Sequence, residues 1–232
     1  MHLAFRIAQI DKKCKCLWIS PNSSVVQLYF WYSRAMQYQE RKFTIPALDG
    51  ISAKSAEEHL GLYAGYVKNF NAIGAKIIEY LKESEKHAIA ISELTRRHSF
   101  EWGGMRLHEL YFSQWEGGVT PLAPESTLGM ALSKDFGSVE NLIVEMKQVG
   151  MMRGPGWSLL YWDSIGQTSH LGFSGEQHQG HFVTLPVILA LDVWEHAFIL
   201  DYGAQGKGKY IDAFFKNLNW RVVEDRFQSA VK

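Results

Sequence analysis

The chain has little of what would commit it to a secreted scaffold, a membrane or a nucleic acid. It holds two cysteines, Cys14 and Cys16. One intervening residue makes a bridge between them strained. The pair is neither a disulfide framework nor a four-ligand zinc site, so nothing in it demands an oxidising compartment. No apolar run reaches the roughly 18 residues that would suggest a helical membrane span. Charge of one sign is also missing, since Lys plus Arg equals Asp plus Glu at 24 each. That balance gives no nucleic-acid footprint and no acidic tail. Steering of a small anion by a few basic residues stays open. Internal repeats and low-complexity tracts are absent.

What is present is an ordinary globular mixture, 47% hydrophobic and 21% charged over 232 residues. That length suits one large domain or two small ones sharing a core. Residues 1–41 stand apart. They carry Arg6, Lys12, Lys13 and Lys15, then an aromatic stretch from Val25 to Tyr32. A signal peptide would need a cleaner apolar core and a small-residue cleavage site. We set this segment aside as an N-terminal extension, disordered or targeting. The expected location is cytoplasmic, or organellar or exported if the extension is a targeting segment.

The ordered part is expected to begin at Lys42. Ser52 or Ser55 can cap a helix, and Ser55-Ala-Glu-Glu58 reads as a capping box. His59, Tyr63, Tyr66, Phe70, Ile73 and Ile77 recur at steps of three and four, one face of a long amphipathic helix that fades at 82–86. A second helix spans about Ser92 to Trp115, with Gly104, His108, Tyr111 and Trp115 on one face. Two such helices suggest an antiparallel hairpin over 42–122. Gly117, Gly118, Pro121 and Pro124 mark the linker into a second region, 123–232. There, 138–149 reads as helix, Trp157–Asp163 as a strand and 169–173 as a weaker one. Residues 182–191 form an apolar strand interrupted by Pro186, and 192–199 a short helix-like segment. A final helical region runs from Tyr210 to about Phe227. Strands between helices without regular alternation argue an α+β fold.

Of nine histidines, His87 and His98 sit among charged residues and read as solvated. His59 and His108 lie on apolar helix faces. A single histidine there is commonly a hydrogen-bonded core residue, but two facing each other across a hairpin could share a metal. The sharpest local signal is Asp192-Val-Trp-Glu-His196. On a helical turn, an Asp and a His four apart share a face. Asp192 follows the apolar run 187–191, and a buried carboxylate is costly unless paired or coordinated. Three neutral imidazoles and one carboxylate leave net charge +1 with a divalent ion and +2 with a trivalent one. N/O ligation without thiolate suits zinc, iron or manganese. Composition and spacing do not select the reaction.

The segment Asp192-Val-Trp-Glu-His-Ala-Phe198 resembles the C-terminal signature of the iron/manganese superoxide dismutases. Five further segments agree with the family in the same order: 51–71 around His59, Gly103-Gly-Met-Arg-Leu-His108, 134–141, Gly154-Pro-Gly-Trp157 and 210–220. The match covers roughly residues 42–230. It implies a long helical hairpin followed by an α/β region with a three-stranded antiparallel sheet, with one Fe or Mn ion between them on His59, His108, Asp192 and His196. It also implies the chemistry, in which the oxidised ion takes an electron from one superoxide and the reduced ion returns it to a second. The protein sets the potential and delivers protons.

Further roles are implied by the same resemblance. Tyr66 matches the family's gateway tyrosine, although it lies seven residues after His59 where eight is commonest. Tyr63 stands where many members have a histidine reaching toward the dimer partner. Gly104 occupies a position that carries Gln in iron-type members and Gly in manganese-type ones. The polar group beside the metal-bound solvent is then expected from the loop Glu176-Gln-His-Gln179, with His178 preferred, Gln177 second and Gln179 third. Trp157 and Trp194 wall the pocket. Glu195 reaches the ligand histidine of a second subunit, implying a homodimer or tetramer. Phe198 replaces the family's more usual Tyr, so any hydrogen bond of that phenol is absent or replaced. Neither a nucleic acid nor a membrane is an expected partner. Two other readings stand beside this one. A non-catalytic structural or interaction protein could retain the fold, although such relatives tend to lose ligands. A mononuclear metal hydrolase could use the same ligands, but it needs a general base, for which only the His178 loop offers a candidate.

Overall fold

The computed structural model describes residues 38–231. Helix α1 (Ala53–Leu81) begins at Ser52, whose side chain accepts the Ser55 N–H at 3.0 Å. The cap is therefore Ser52, and the expected box starting at Ser55 is not the helix entry: Ser55 already lies inside the first turn, buried. His59, Tyr63, Phe70 and Ile77 are buried on one face, as the periodicity requires. Helix α2 (Ala88–Ser113) starts four residues earlier than Ser92 and packs antiparallel along α1.

Helix α3 (Thr127–Phe136) was not expected. Its ten residues are entered by a Ser126 cap whose hydroxyl accepts Gly129 N–H at 3.0 Å. Gly137, with φ at 83°, ends it in a conformation that favours glycine. Helix α4 (Val139–Gly150) follows, capped by Ser138.

Strands β1 (Trp157–Asp163), β2 (Thr168–Ser174) and β3 (Val187–Asp192) form an antiparallel sheet in the order β2-β1-β3. The β3 strand is shorter than expected, because 182–186 is loop and pairing starts after Pro186, which has no N–H to donate. Asp192 is the last residue of β3, paired with Trp157, and not the start of a helical turn. A 3-10 turn (Glu195–Ala197) and α5 (Ile199–Tyr202) follow. The closing helical region is two helices, α6 (Lys207–Lys216) and α7 (Trp220–Val231). The fold is α+β, a helical hairpin laid against a three-stranded sheet with the helices α3, α4, α6 and α7 around it.

Two contacts fix the hairpin to the sheet. Because β3 is an edge strand, its outer N–H and C=O groups need partners. Gln114, just past α2, supplies them. Its amide donates to the Ala190 carbonyl and accepts from the Ala190 N–H, each at 2.8 Å. Arg226 of α7 then donates to Gln114 Oε1, the Leu110 and Ile188 carbonyls and Ser113 Oγ at 2.6–3.2 Å. Its burial pulls the guanidinium pKa down to about 10.

Packing of the chain onto the hairpin starts before Lys42. Tyr38 N–H donates to Asn71 Oδ1 at 3.1 Å, and Asn71 Nδ2 returns to the Tyr38 carbonyl at 2.8 Å. Arg41 N–H donates to the Tyr63 hydroxyl at 2.8 Å, and Arg41 pairs with Glu116. The rest of the extension lies outside the described residues. No helix of the described residues is long and apolar enough to cross a membrane.

Candidate metal centre

Each element delivers a ligand for a local reason. His59 sits on the buried stripe of α1, and His108 on that of α2, three residues before buried Tyr111. Asp192 closes β3 on the strand's buried run. His196 follows on the 3-10 turn, brought back by Val193 N–H donating to the Gly156 carbonyl at 2.9 Å. Asp192 and His196 thus meet through a strand end and a turn rather than through helical spacing.

The four side chains converge, with one ligand atom from each lying within 4.8 Å of every other. Asp192 Oδ2 is 3.3 Å from His59 Nε2, 3.7 Å from His108 Nε2 and 3.3 Å from His196 Nε2. Asp192 and His108 are fully buried, His59 nearly so, and His196 is partly open. The His108 Nδ1 lies 2.6 Å from the Gly104 carbonyl, which fixes the proton on Nδ1 and leaves the Nε2 lone pair facing Asp192. Asp192 Oδ1 accepts Trp194 N–H at 2.8 Å. Behind it, Tyr210 donates to the Asp192 backbone carbonyl and bonds the Tyr111 hydroxyl, both at 2.9 Å. Burial raises both phenols well above their ordinary pKa, so they serve as fixed neutral groups.

The electrostatics leave room for a cation. Burial would raise the Asp192 carboxyl pKa, but His196 and His59 hold it well below the usual carboxylate range. Burial lowers the pKa of His59, and that of His108 falls to about 3, helped by the neighbouring His59. The result is a buried anion beside the neutral imidazoles of His59 and His108, whose Nε2 atoms lack hydrogen-bond partners. Such a group is unfavourable by itself and becomes favourable around a metal ion. The donor set fits one Fe or Mn ion.

Tyr66 borders this cluster. Helix α1 is unbroken, so seven residues are about two α-turns and return Tyr66 to the face of His59. The Tyr66 ring lies 5.0 Å from the His108 ring. Its oxygen accepts from Gln177 Nε2 at 3.0 Å, and Gln177 Oε1 accepts from Trp157 Nε1 at 2.9 Å. Gln177, fully buried, is therefore the loop residue that reaches the site. Gln177 is the second of the three loop candidates, after His178. His178 is partly buried, its ring centre 5.7 Å from that of Phe100 in an edge-to-face arrangement, and Gln179 is exposed. The reason lies in α2. A Cβ on Gly103 would overlap the Gln177 carbonyl, and one on Gly104 would overlap the Tyr66 ring. The two glycines let the loop and the phenol close onto the helix.

Other expected residues separate. Trp157 is fully buried and stands edge-on to His108 at 5.2 Å. Trp194 stacks on His196 at 6.0 Å. Tyr63 is buried, and its hydroxyl is taken by Arg41 N–H and by Glu109 Oε1 at 3.1 Å. Glu195 is exposed, and Phe198 is buried against Tyr210. His87 is partly exposed beside Glu83 and also stacks on Tyr80 at 4.3 Å, while the solvated reading fails for His98, which stacks on Phe70 at 3.9 Å. Both neighbours on α1 lie across the hairpin from α2, which local charge could not reveal. Gln114, Arg226, Tyr111 and Tyr210 went unrecognised as supports of the site. Tyr111 shares the His108 face of α2, and Arg226 is a cation beside the apolar positions Val223 and Phe227 of an amphipathic helix.

Three imidazoles and a carboxylate, two from a helical hairpin and two from the end of a sheet, define a mononuclear metalloprotein with N/O ligation. Residues 124–226 match the family model described as iron/manganese superoxide dismutases, C-terminal domain. The chain is 35% identical over 190 residues to the superoxide dismutase (Fe) of Cupriavidus metallidurans, covering 80% of this chain and 92% of that one. It is 32% identical over 189 residues to the superoxide dismutase (Fe) of Tetrahymena pyriformis, covering 78% and 94%. Against the mitochondrial superoxide dismutase (Mn) of Glossina morsitans morsitans it is 29% identical over 184 residues, covering 78% and 82%. The chain belongs to the iron/manganese superoxide dismutase family.

Proposed function

We propose that this protein is a superoxide dismutase that converts two superoxide anions and two protons into oxygen and hydrogen peroxide, using one Fe or Mn ion on His59, His108, Asp192 and His196. The observation that carries this reading is the convergence of those four donors beside Tyr66 and Gln177. When bound, the ion supplies the redox step, alternating between its divalent and trivalent states. The chain supplies the rest. Asp192 keeps one negative charge in the site, which favours the higher oxidation state and so sets the potential. His108, oriented by the Gly104 carbonyl, presents Nε2 without proton loss. The Tyr66 phenol is held protonated by burial and by the Asp192 charge. Because its oxygen already accepts from Gln177, its own O–H is left to donate toward an incoming anion. Trp157 holds the far end of the Gln177 amide.

The active form in this proposal is a homodimer or a tetramer of dimers. Glu195 supports it. The residue adjoins His196 and is exposed, and its carboxylate makes no hydrogen bond or ion pair among the described residues. Residues 42–122 and 123–232 are proposed as the two structural units, each giving two ligands. A cytoplasmic location fits Cys14 and Cys16, which need no oxidising compartment.

The test is dismutation by the purified protein, with bound metal quantified on the same sample and His108→Ala as control. Activity that scales with iron or manganese and vanishes in the variant supports the proposal. Inactivity after reconstitution with each metal overturns it.

A further inference from the structure

The loop joining β2 to β3 carries Gln177, and a histidine outside the metal cluster grips it. His181 Nδ1 lies 2.9 Å from the Tyr161 hydroxyl. Tyr161 is almost fully buried in β1, and its phenol is pushed up to about 12 by burial. The other ring nitrogen, Nε2, faces a carbonyl that can only accept, so the imidazole proton belongs on Nε2 and Nδ1 accepts from the neutral phenol. That nitrogen is 3.2 Å from the Gln177 carbonyl and 3.3 Å from Ser174 Oγ. Ser174 Oγ is itself 2.5 Å from the carbonyls of both Glu176 and Gln179. Its single proton serves one carbonyl at a time, and its lone pairs remain open to the His181 N–H.

Helix α2 also packs on the Gln177 carbonyl, where Gly103 leaves no space even for a methyl group. The carbonyl thus meets both the helix and the imidazole. From that anchored backbone the side-chain amide spans Trp157 Nε1 and the Tyr66 oxygen.

We propose that His181 is a positioning residue, which sets the pose of Gln177 by hydrogen-bonding its carbonyl and thereby holds the Tyr66–Gln177–Trp157 chain in register. Its consequence for turnover rests on the superoxide dismutase reading, but its geometric content does not. A strand tyrosine, Tyr161, in turn supports the tautomer that lets His181 donate.

The test uses the full chain loaded with zinc, which keeps the four ligands closed and leaves the magnetic resonance lines sharp. The readout is hydrogen exchange of the Trp157 indole N–H, assigned through Trp157→Phe. A net hydrogen bond corresponds to a factor of roughly ten in population at its upper end. In His181→Ala the Trp157 indole is expected to exchange about tenfold faster, with the other indoles unchanged. His181→Gln restores an N–H donor of similar reach and is expected to bring exchange back toward the parent rate. Iron- or manganese-loaded His181→Ala is expected to lose dismutation in parallel at equal metal content. Unchanged Trp157 exchange in His181→Ala overturns the proposal, and so does equal acceleration of all the indoles, which marks a general structural role. Inactivity of the unsubstituted protein would refute the proposed function while leaving the exchange result to stand by itself.

Discussion

Replacing a helical glycine by alanine should have opposite signs at four places in this molecule. Gly61 and Gly65 lie in α1, and Gly103 and Gly104 in α2. The intrinsic helix preference is the same everywhere, about 1 kcal/mol in favour of alanine. At Gly61 and Gly65 a new Cβ meets nothing within 4 Å. Those two variants should therefore gain roughly 0.5–1 kcal/mol. At Gly104 the Cβ collides with three carbons of the Tyr66 ring, a side chain tethered to Gln177. Overpacking of this sort costs about 1–3 kcal/mol, so the net change is a loss of about 0–2 kcal/mol after the helix gain. Tyr66 is displaced in the process, and dismutation should fall more than stability does. Gly103→Ala should be the most harmful, because the obstacle is the Gln177 backbone rather than a side chain. The assay is denaturant unfolding of each variant, with dismutation and metal content on the same preparations. A Gly104→Ala protein with parent stability and activity, or a Gly65→Ala protein that is clearly destabilised, would refute the reasoning.

Other expectations follow from the same structure. In the metal-free protein, His59 and His108 have lowered folded pKa values while the unfolded chain takes up protons near 6.5. Stability should then fall as pH drops from about 6.5 toward 4, by about 1.4 kcal/mol per pH unit for His108, with His59 adding in the same direction. A His108→Gln variant should show a shallower slope in pH-dependent denaturation. Arg226→Lys cannot reproduce a planar fork serving four acceptors, and unfolding measurements should show a loss of about 2–4 kcal/mol. A chain starting at Lys42 lacks the Tyr38–Asn71 pair and the Arg41 N–H that serves Tyr63, so it should melt lower than one starting at Tyr38, by about 1–3 kcal/mol. Burial would raise the Glu224 carboxyl pKa, but Ser126, Thr127 and Leu128 N–H donate to it and hold it low. Its contribution is present above about pH 4.3 and lost as pH falls, and Glu224→Gln should lack that component in acid titration.

Much of this architecture was legible from periodicity. The apolar steps of 59–77 gave α1 its buried face, and the alternation-free run after Pro186 gave the buried β3. Asp192 is instructive because the ligand was found for a partly wrong reason. Spacing by four predicts one face of a helix, whereas a strand end and a 3-10 turn bring its carboxylate and imidazole together. Helix α3 escaped because it is only ten residues long and both its ends look like turn sequence. Choosing among Gln177, His178 and Gln179 was beyond any local pattern. The choice is made by a steric gap on another helix, at Gly103, more than 70 residues away in the chain. His98 shows the same limit, since its charged neighbours in sequence conceal an aromatic neighbour in space.

The clasp of Gln114 on Ala190 bears on time as well as on stability. Two ligands ride on the hairpin and two on the sheet, and Gln114 with Arg226 bolts one to the other. An ion inside cannot leave by the breathing of a single loop. Its departure waits for the two halves to part, a rare opening whose rate climbs steeply with temperature. Exchange of one metal for another should therefore be slow at rest and quick on warming. Which metal a molecule carries would then record what was available when its halves first closed.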